Sequence, residues 1–126
     1  TSFALIPADI DNTESTKTLI RSDGKVEMFV TKRDLTAQEK VNFDFGGEAI
    51  GFFKLSSEDC KKFIEHYENF ESKYLELLWE IPFTDFAKYV DLSVWLITQG
   101  PACFEIDTQD DYEQALLTFQ KYKDSF

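Results

Sequence analysis

The sequence predicts an α+β domain. An antiparallel sheet of about four strands comes first, about three helices pack on one of its faces, and one late strand lies near 102–106. Three observations predict this. Residues 18–32 hold Asp23-Gly24 between two β-rich runs, the pattern of a tight hairpin. After residue 55 the apolar spacing changes to a helical period, and no crossover helix separates the early strands. Strands first and helices later is the order of an α+β protein rather than of alternating βαβ units.

The elements follow in order. An apolar run, Phe3 to Ile6, precedes a polar stretch that ends near Ser15. The hairpin comes next, its two-residue turn centred on Asp23-Gly24. Residues 40–55, KVNFDFGGEAIGFFKL, read as two further strands broken at Gly46-Gly47, with Val41, Phe43 and Phe45 alternating onto one face. Ser56 or Ser57 then caps a long helix. Its apolar positions Cys60, Phe63, Ile64, Tyr67, Phe70 and Tyr74, continued by Leu77 and Leu78, fall within an arc of roughly 140° at ~100° per residue. Glu71 falls inside that arc, so either the helix breaks near 72 or Glu71 sits at its edge.

Pro82 ends this element and Thr84 is placed to cap the next, a helix over 85–98. Val94 to Thr98 would equally suit a strand, and Gly100-Pro101 marks the stop. ACFEI (102–106) reads as the late strand. Thr108 and Asp111 have capping-box spacing, with Asp in place of the usual Glu. A last helix therefore runs from about Gln109 to Tyr122, with Tyr112, Ala115, Leu116, Phe119 and Tyr122 inward.

With 126 residues and no linker or repeat, the chain is expected to form a single domain over 1–126. Net charge is −11, and most of the acid excess lies after residue 47. That field repels phosphate backbones, which argues against direct nucleic-acid binding and for a basic protein partner. Two distant cysteines and one histidine give neither a disulfide framework nor a zinc pattern, so no metal or cofactor is expected. No apolar run reaches membrane-spanning length and no signal-peptide pattern opens the sequence; a cytoplasmic protein without membrane contact is the expectation.

The stretch PADIDNTEST (7–16) carries the one motif that suggests catalysis. An apolar run leading into Asp9-Ile10-Asp11-Asn12-Thr13 resembles the opening D-x-D-x-T motif of the haloacid dehalogenase superfamily of phosphatases. The resemblance covers about a tenth of the chain. It implies a magnesium-dependent enzyme in which Asp9 is the nucleophile and Asp11 the general acid/base. Thr98 would then be a phosphate ligand and Asp110-Asp111 the late acidic pair. It also implies a parallel sheet with crossover helices, where the sequence has hairpin signals. A turn built from Asp, Asn, Thr and Ser accounts for the same residues. Read as a calcium loop, the stretch has Glu14 where Gly is needed and Ile20 where a bidentate Glu belongs. Cys60 and His66 point about 120° apart on one helix and form no nucleophile–base pair; Cys60 reads as a core residue and His66 as a half-exposed one.

The leading expectation is thus an acidic, non-enzymatic binding protein that neutralises or inhibits a basic protein, in the manner of an immunity protein, an antitoxin or a phosphate-mimicking inhibitor of a nuclease toxin. The candidate partner-binding residues are Glu105, Asp107, Asp110, Asp111, Tyr112 and Glu113, where acids cluster with little local basic compensation around an aromatic ring. The alternatives are the phosphatase with Asp9 and Asp11, and a structural or adaptor domain that forms a homodimer.

Overall fold

A computed structural model describes residues 3–7, 15–97 and 106–125. The α+β class holds: antiparallel strands open the chain, helices follow, and a strand comes late. The chain divides into two compact units, residues 1–96 and 97–126.

The first unit begins with β1 (Phe3–Pro7), β2 (Lys17–Ile20) and β3 (Val26–Val30). β2 and β3 pair antiparallel, with Lys17 opposite Val30 and Ile20 opposite Val26. The turn holds three residues rather than the expected two. Arg21 N–H donates to Lys25 O at 2.8 Å, Gly24 N–H donates to Arg21 O at 2.9 Å, and Gly24 adopts φ +79°. This is a tight turn followed by a left-handed glycine that restores the ladder. The Asp23 carboxylate steadies it by accepting from Lys25 N–H at 3.0 Å.

Residues 40–43 depart from expectation. Instead of extending a strand they belong to α1 (Ala37–Asn42), started by a full capping box between Thr36 and Glu39. Val41 therefore lies exposed on a helix and shares no strand face with Phe45. β4 (Asp44–Glu48) spans Gly46-Gly47 and pairs antiparallel with β2, with a bulge at Gly46 where the register passes from Phe45 opposite Leu19 to Gly47 opposite Thr18. Glycine at 46 is required by close approach: a Cβ there would collide with the Ile20 side chain and stand 3.3 Å from Thr18 O. The break falls later, at Gly51, before β5 (Phe53–Lys54), which pairs antiparallel with β1.

Of the two alternatives that Glu71 left open, the helix breaks, at Phe70. Ser56 caps α2 (Ser57–Asn69), its hydroxyl accepting from Asp59 N–H. Phe70 leaves helical geometry at φ −122°, ψ 19°, and α3 (Glu71–Tyr74) restarts the coil. The expected stripe is split accordingly. Tyr74 is buried and Phe63 and Tyr67 half-buried, whereas Ile64, Phe70, Leu77 and Leu78 are exposed. Cys60, expected in the core, is exposed as well.

Pro82 does not end the element; it lies in the first turn of α4 (Glu80–Phe86), where its missing N–H breaks no helical bond. Thr84 caps nothing. It sits inside α4, its hydroxyl accepting from Phe29 N–H at 2.9 Å and tying the helix to β3. α4 stops at Phe86, so the helix expected over 85–98 gives way to β6 (Ser93–Ile97), a neighbour of β1 in the sheet ordered β5-β1-β6. Val26 N–H donates to Leu92 O at 2.8 Å and links this sheet to the other, ordered β3-β2-β4.

The core of this unit gathers Val26, Phe29, Ala49, Phe86, Val90 and Leu92. Beside it, Phe53 stacks on Phe83 with centroids 3.9 Å apart, and Phe83 on Phe63 at 4.6 Å. This three-ring stack joins β5, α4 and α2, and such pairs add roughly 0.5–1.5 kcal/mol each beyond burial.

The second unit holds α5 (Gln109–Tyr122), with the expected bounds and cap, followed by a 3-10 turn over Lys123–Ser125. The strand expected near 102–106 lies outside the described residues save for Ile106, which has no regular structure.

Candidate functional site

The predicted acidic patch surrounds the start of α5. Glu105 lies outside the described residues. Asp111 is occupied by the cap: its Oδ2 accepts from the Thr108 backbone N–H at 2.8 Å and from Asp107 N–H at 3.2 Å, while its own N–H donates to Thr108 Oγ1. The Thr108 hydroxyl bond, first among the causes, and the two backbone bonds hold the Asp111 carboxyl below its ordinary range. Glu113 accepts from the Gln109 side chain at 3.2 Å. Asp107 and Asp110 are exposed. Tyr112, Leu116 and Phe119, predicted inward, recur at helical spacing and are 48%, 41% and 56% exposed. The result is an apolar stripe flanked by Glu113, with Asp110 on the far side of the helix.

A second constellation was not foreseen from sequence. Asp85 on α4, Tyr74 at the end of α3 and His66 on α2 form one hydrogen-bonded chain. Tyr74 Oη donates to Asp85 Oδ2 at 2.9 Å and lies 2.8 Å from His66 Nε2. The phenol has one proton and gives it to Asp85, so Nε2 of His66 must be the donor in the second bond. In a straight helix the Cα atoms of His66 and Tyr74 would stand about 12 Å apart along the axis. The break at Phe70 makes their contact possible.

Lys73 and Lys88 complete the chain, donating to Asp85 at 2.6 and 3.1 Å. Burial is the largest single influence on Asp85 and raises its pKa. The hydrogen bonds from Lys73, Tyr74 and Lys88 together outweigh it, and the carboxyl falls to about 2. Tyr74 is pushed up, by burial first and then by the bond to Asp85. Burial moves His66 down, so its imidazole is neutral at pH 7.

Around His66 the surface is concave. Phe70 and Tyr89 rings flank the imidazole at centroid distances of 5.1 and 5.2 Å, and Phe86 lies beneath at 6.3 Å. This aromatic cup has a volume of about 330 Å³ and counts Lys62 and Glu65 in its wall. It adjoins a polar cleft of about 530 Å³ through two shared residues, Lys62 and Tyr89. Arg21, Lys25 and Lys88 line that cleft together with Asp59 and Asp91.

Buried polar groups also gather where β2 meets α4. Lys17 is wholly buried and donates to Ser15 O at 3.1 Å; Thr16 donates to Glu80 Oε1 at 3.0 Å. Glu80 Oε2 is buried without a partner among the described residues.

The phosphatase residues Asp9, Asp11 and Thr98 lie outside the described residues. β1, which leads into the motif, pairs antiparallel with β5, and every pairing whose register is described is antiparallel, unlike the parallel sheet that the resemblance implies. Among the described residues no group of three or more His, Cys, Asp or Glu is placed to hold a metal ion, and no helix is long and apolar enough to cross a membrane. Comparison of the chain with protein-family models, with curated proteins and with solved structures gave no match.

Proposed function

We propose that this chain is a non-enzymatic binding protein that docks a basic protein partner on α5 and neutralises it by covering its cationic surface. The observation that carries the proposal is the surface of that helix. Tyr112, Leu116 and Phe119 form an exposed apolar stripe, Glu113 flanks it, and Asp110 lies in the first turn of the same helix. Exposed aromatics of this kind serve as buried anchors in complexes, and a carboxylate rim selects and steers a cationic partner. The net charge of −11 extends the same attraction over a longer range. An inhibitor of a nuclease or of another nucleic-acid-binding protein is the finer form of this reading, because such targets present the basic surface that these acids complement.

The test is affinity capture from the lysate of the chain's own source, with elution by a salt step, run in parallel on wild type and an Asp110→Lys/Glu113→Lys double variant. The expected result is a basic protein retained by wild type, released by salt and absent from the variant column. Capture that is indifferent to both salt and charge reversal overturns the proposal. Asp111 is left intact in this test because its loss would unfix the helix start.

A further inference from the structure

Four cations from three separate segments of a strongly acidic chain converge on one cleft: Arg21 and Lys25 from the β2–β3 turn, Lys62 from α2 and Lys88 from the end of α4. Two carboxylates, Asp59 and Asp91, share the lining, so the wall itself is net positive. Lys25 is the clearest feature. Its half-buried ammonium donates to the neutral Ser93 hydroxyl at 2.9 Å and makes no ion pair among the described residues. The other three cations have carboxylates within reach, but loosely or at the surface. Arg21 stands 3.4 Å from Asp23 and 3.6 Å from Glu27, longer than a good charge-assisted bond. Lys62 and Lys88 are about half-exposed in their pairs with Glu58 and Asp85. Exchanging the exposed pairs of Arg21 and Lys62 for a ligand anion costs little, because solvent already screens them, and Asp85 keeps Lys73 and Tyr74 when Lys88 turns to the ligand.

The neighbouring cup supplies the complementary half. His66 neighbours the exposed rings of Phe70 and Tyr89, tilted to it by 48° and 49°, and a planar ring seated over the imidazole would have both within contact range. Lys62 and Tyr89 belong to both cavities, so one molecule can occupy the two at once. Both volumes fall in the usual span of small-molecule sites, about 300–1,000 Å³.

We propose that the cleft and cup together bind a small planar aromatic compound carrying a phosphate group, with the ring over His66 and the phosphate between Lys25, Arg21, Lys62 and Lys88. Two sources share this chemistry, a nucleotide and a simple aryl phosphate.

The experiment is titration of the full chain, followed by NMR, with adenosine monophosphate, phenyl phosphate, inorganic phosphate and adenosine. At least one ring-bearing phosphate should saturate and shift the His66 and Tyr89 ring signals, and whichever of the two binds tighter identifies the source. Inorganic phosphate and adenosine should each bind at least about tenfold more weakly, because each fills half the site. Lys25→Gln keeps a hydrogen-bonding group for Ser93 but removes the charge, and should weaken binding about tenfold. Tyr89→Ala removes an exposed ring without touching the core and should weaken it about fivefold. Should Lys25→Gln fail to fold, Tyr89→Ala carries the test alone. Failure of both ring-bearing phosphates to saturate, equal binding of inorganic phosphate, or wild-type affinity in the folded variants would overturn the proposal.

Discussion

Replacing Asp85 with Asn removes one charge from the His66–Tyr74–Asp85 chain and leaves its shape. The amide oxygen can still accept from Tyr74, while Lys73 and Lys88, both more than half exposed, return to water. The loss can be worked from the carboxyl's own titration. In the fold its pKa falls from 3.8 to about 2. At 1.36 kcal/mol per unit this corresponds to about 2 kcal/mol of stability. A chain of this length should then lose about 8 °C in Tm, taking ~4 °C per kcal/mol. The sign follows from the direction of the shift. A carboxyl depressed in the folded state contributes fully above 3.8, and that contribution is lost as pH falls through about 2. Urea unfolding of wild type and Asp85→Asn, followed from pH 7 downward by tryptophan fluorescence, should show a gap of about 2 kcal/mol that closes as pH falls from 4 to about 2. A gap that stays constant with pH would mean that the substitution acts through packing, and no gap at pH 7 would mean that the lysines add nothing; either result refutes the reasoning.

Asp111→Ala removes the acceptor that the capping box supplies to the Thr108 and Asp107 backbone N–H groups, and should lower the helicity seen by circular dichroism. Phe86→Ala empties the centre of the first unit, where the ring is fully buried, and should cost about 3–5 kcal/mol in chemical denaturation. Gly46→Ala should lose about 1–3 kcal/mol through the collision with Ile20, and Ile20→Val in the same chain should recover part of it. Gly24→Ala meets no atom within 4 Å, so only the strain of φ +79° remains, on the order of 1 kcal/mol.

The parts of this fold that are written locally were legible. Thr108 and Asp111 stand three residues apart and each satisfies the other's backbone, so the start of α5 could be read from four letters. Gly24 announced the hairpin, although the choice of a three-residue loop depends on Asp23 accepting from Lys25, which the dipeptide does not specify. The same capping logic was present in Thr36 and Glu39, but the β-rich letters that follow drew residues 40–43 into a strand. Residues 93–97 could not be decided locally, because a short apolar run has no period; their place beside β1 decides it. The chain through His66 was hidden for another reason. Its members come from α2, α3 and α4; Glu71 inside the apolar arc hinted at the break, but not at which side chains the break brings together. The cationic cleft is likewise assembled from three segments, and a net charge of −11 conceals it.

In the proposed function, the acids at the start of α5 steer a basic partner onto its apolar stripe. The most direct test is the association rate with the captured partner, measured by stopped flow across a salt series for wild type and for Asp110→Lys/Glu113→Lys. The expected result is a wild-type rate that falls steeply with salt, and a variant that associates at least about tenfold more slowly at low salt while its dissociation rate changes little. Equal association rates for the two proteins, or a rate unaffected by salt, would contradict it.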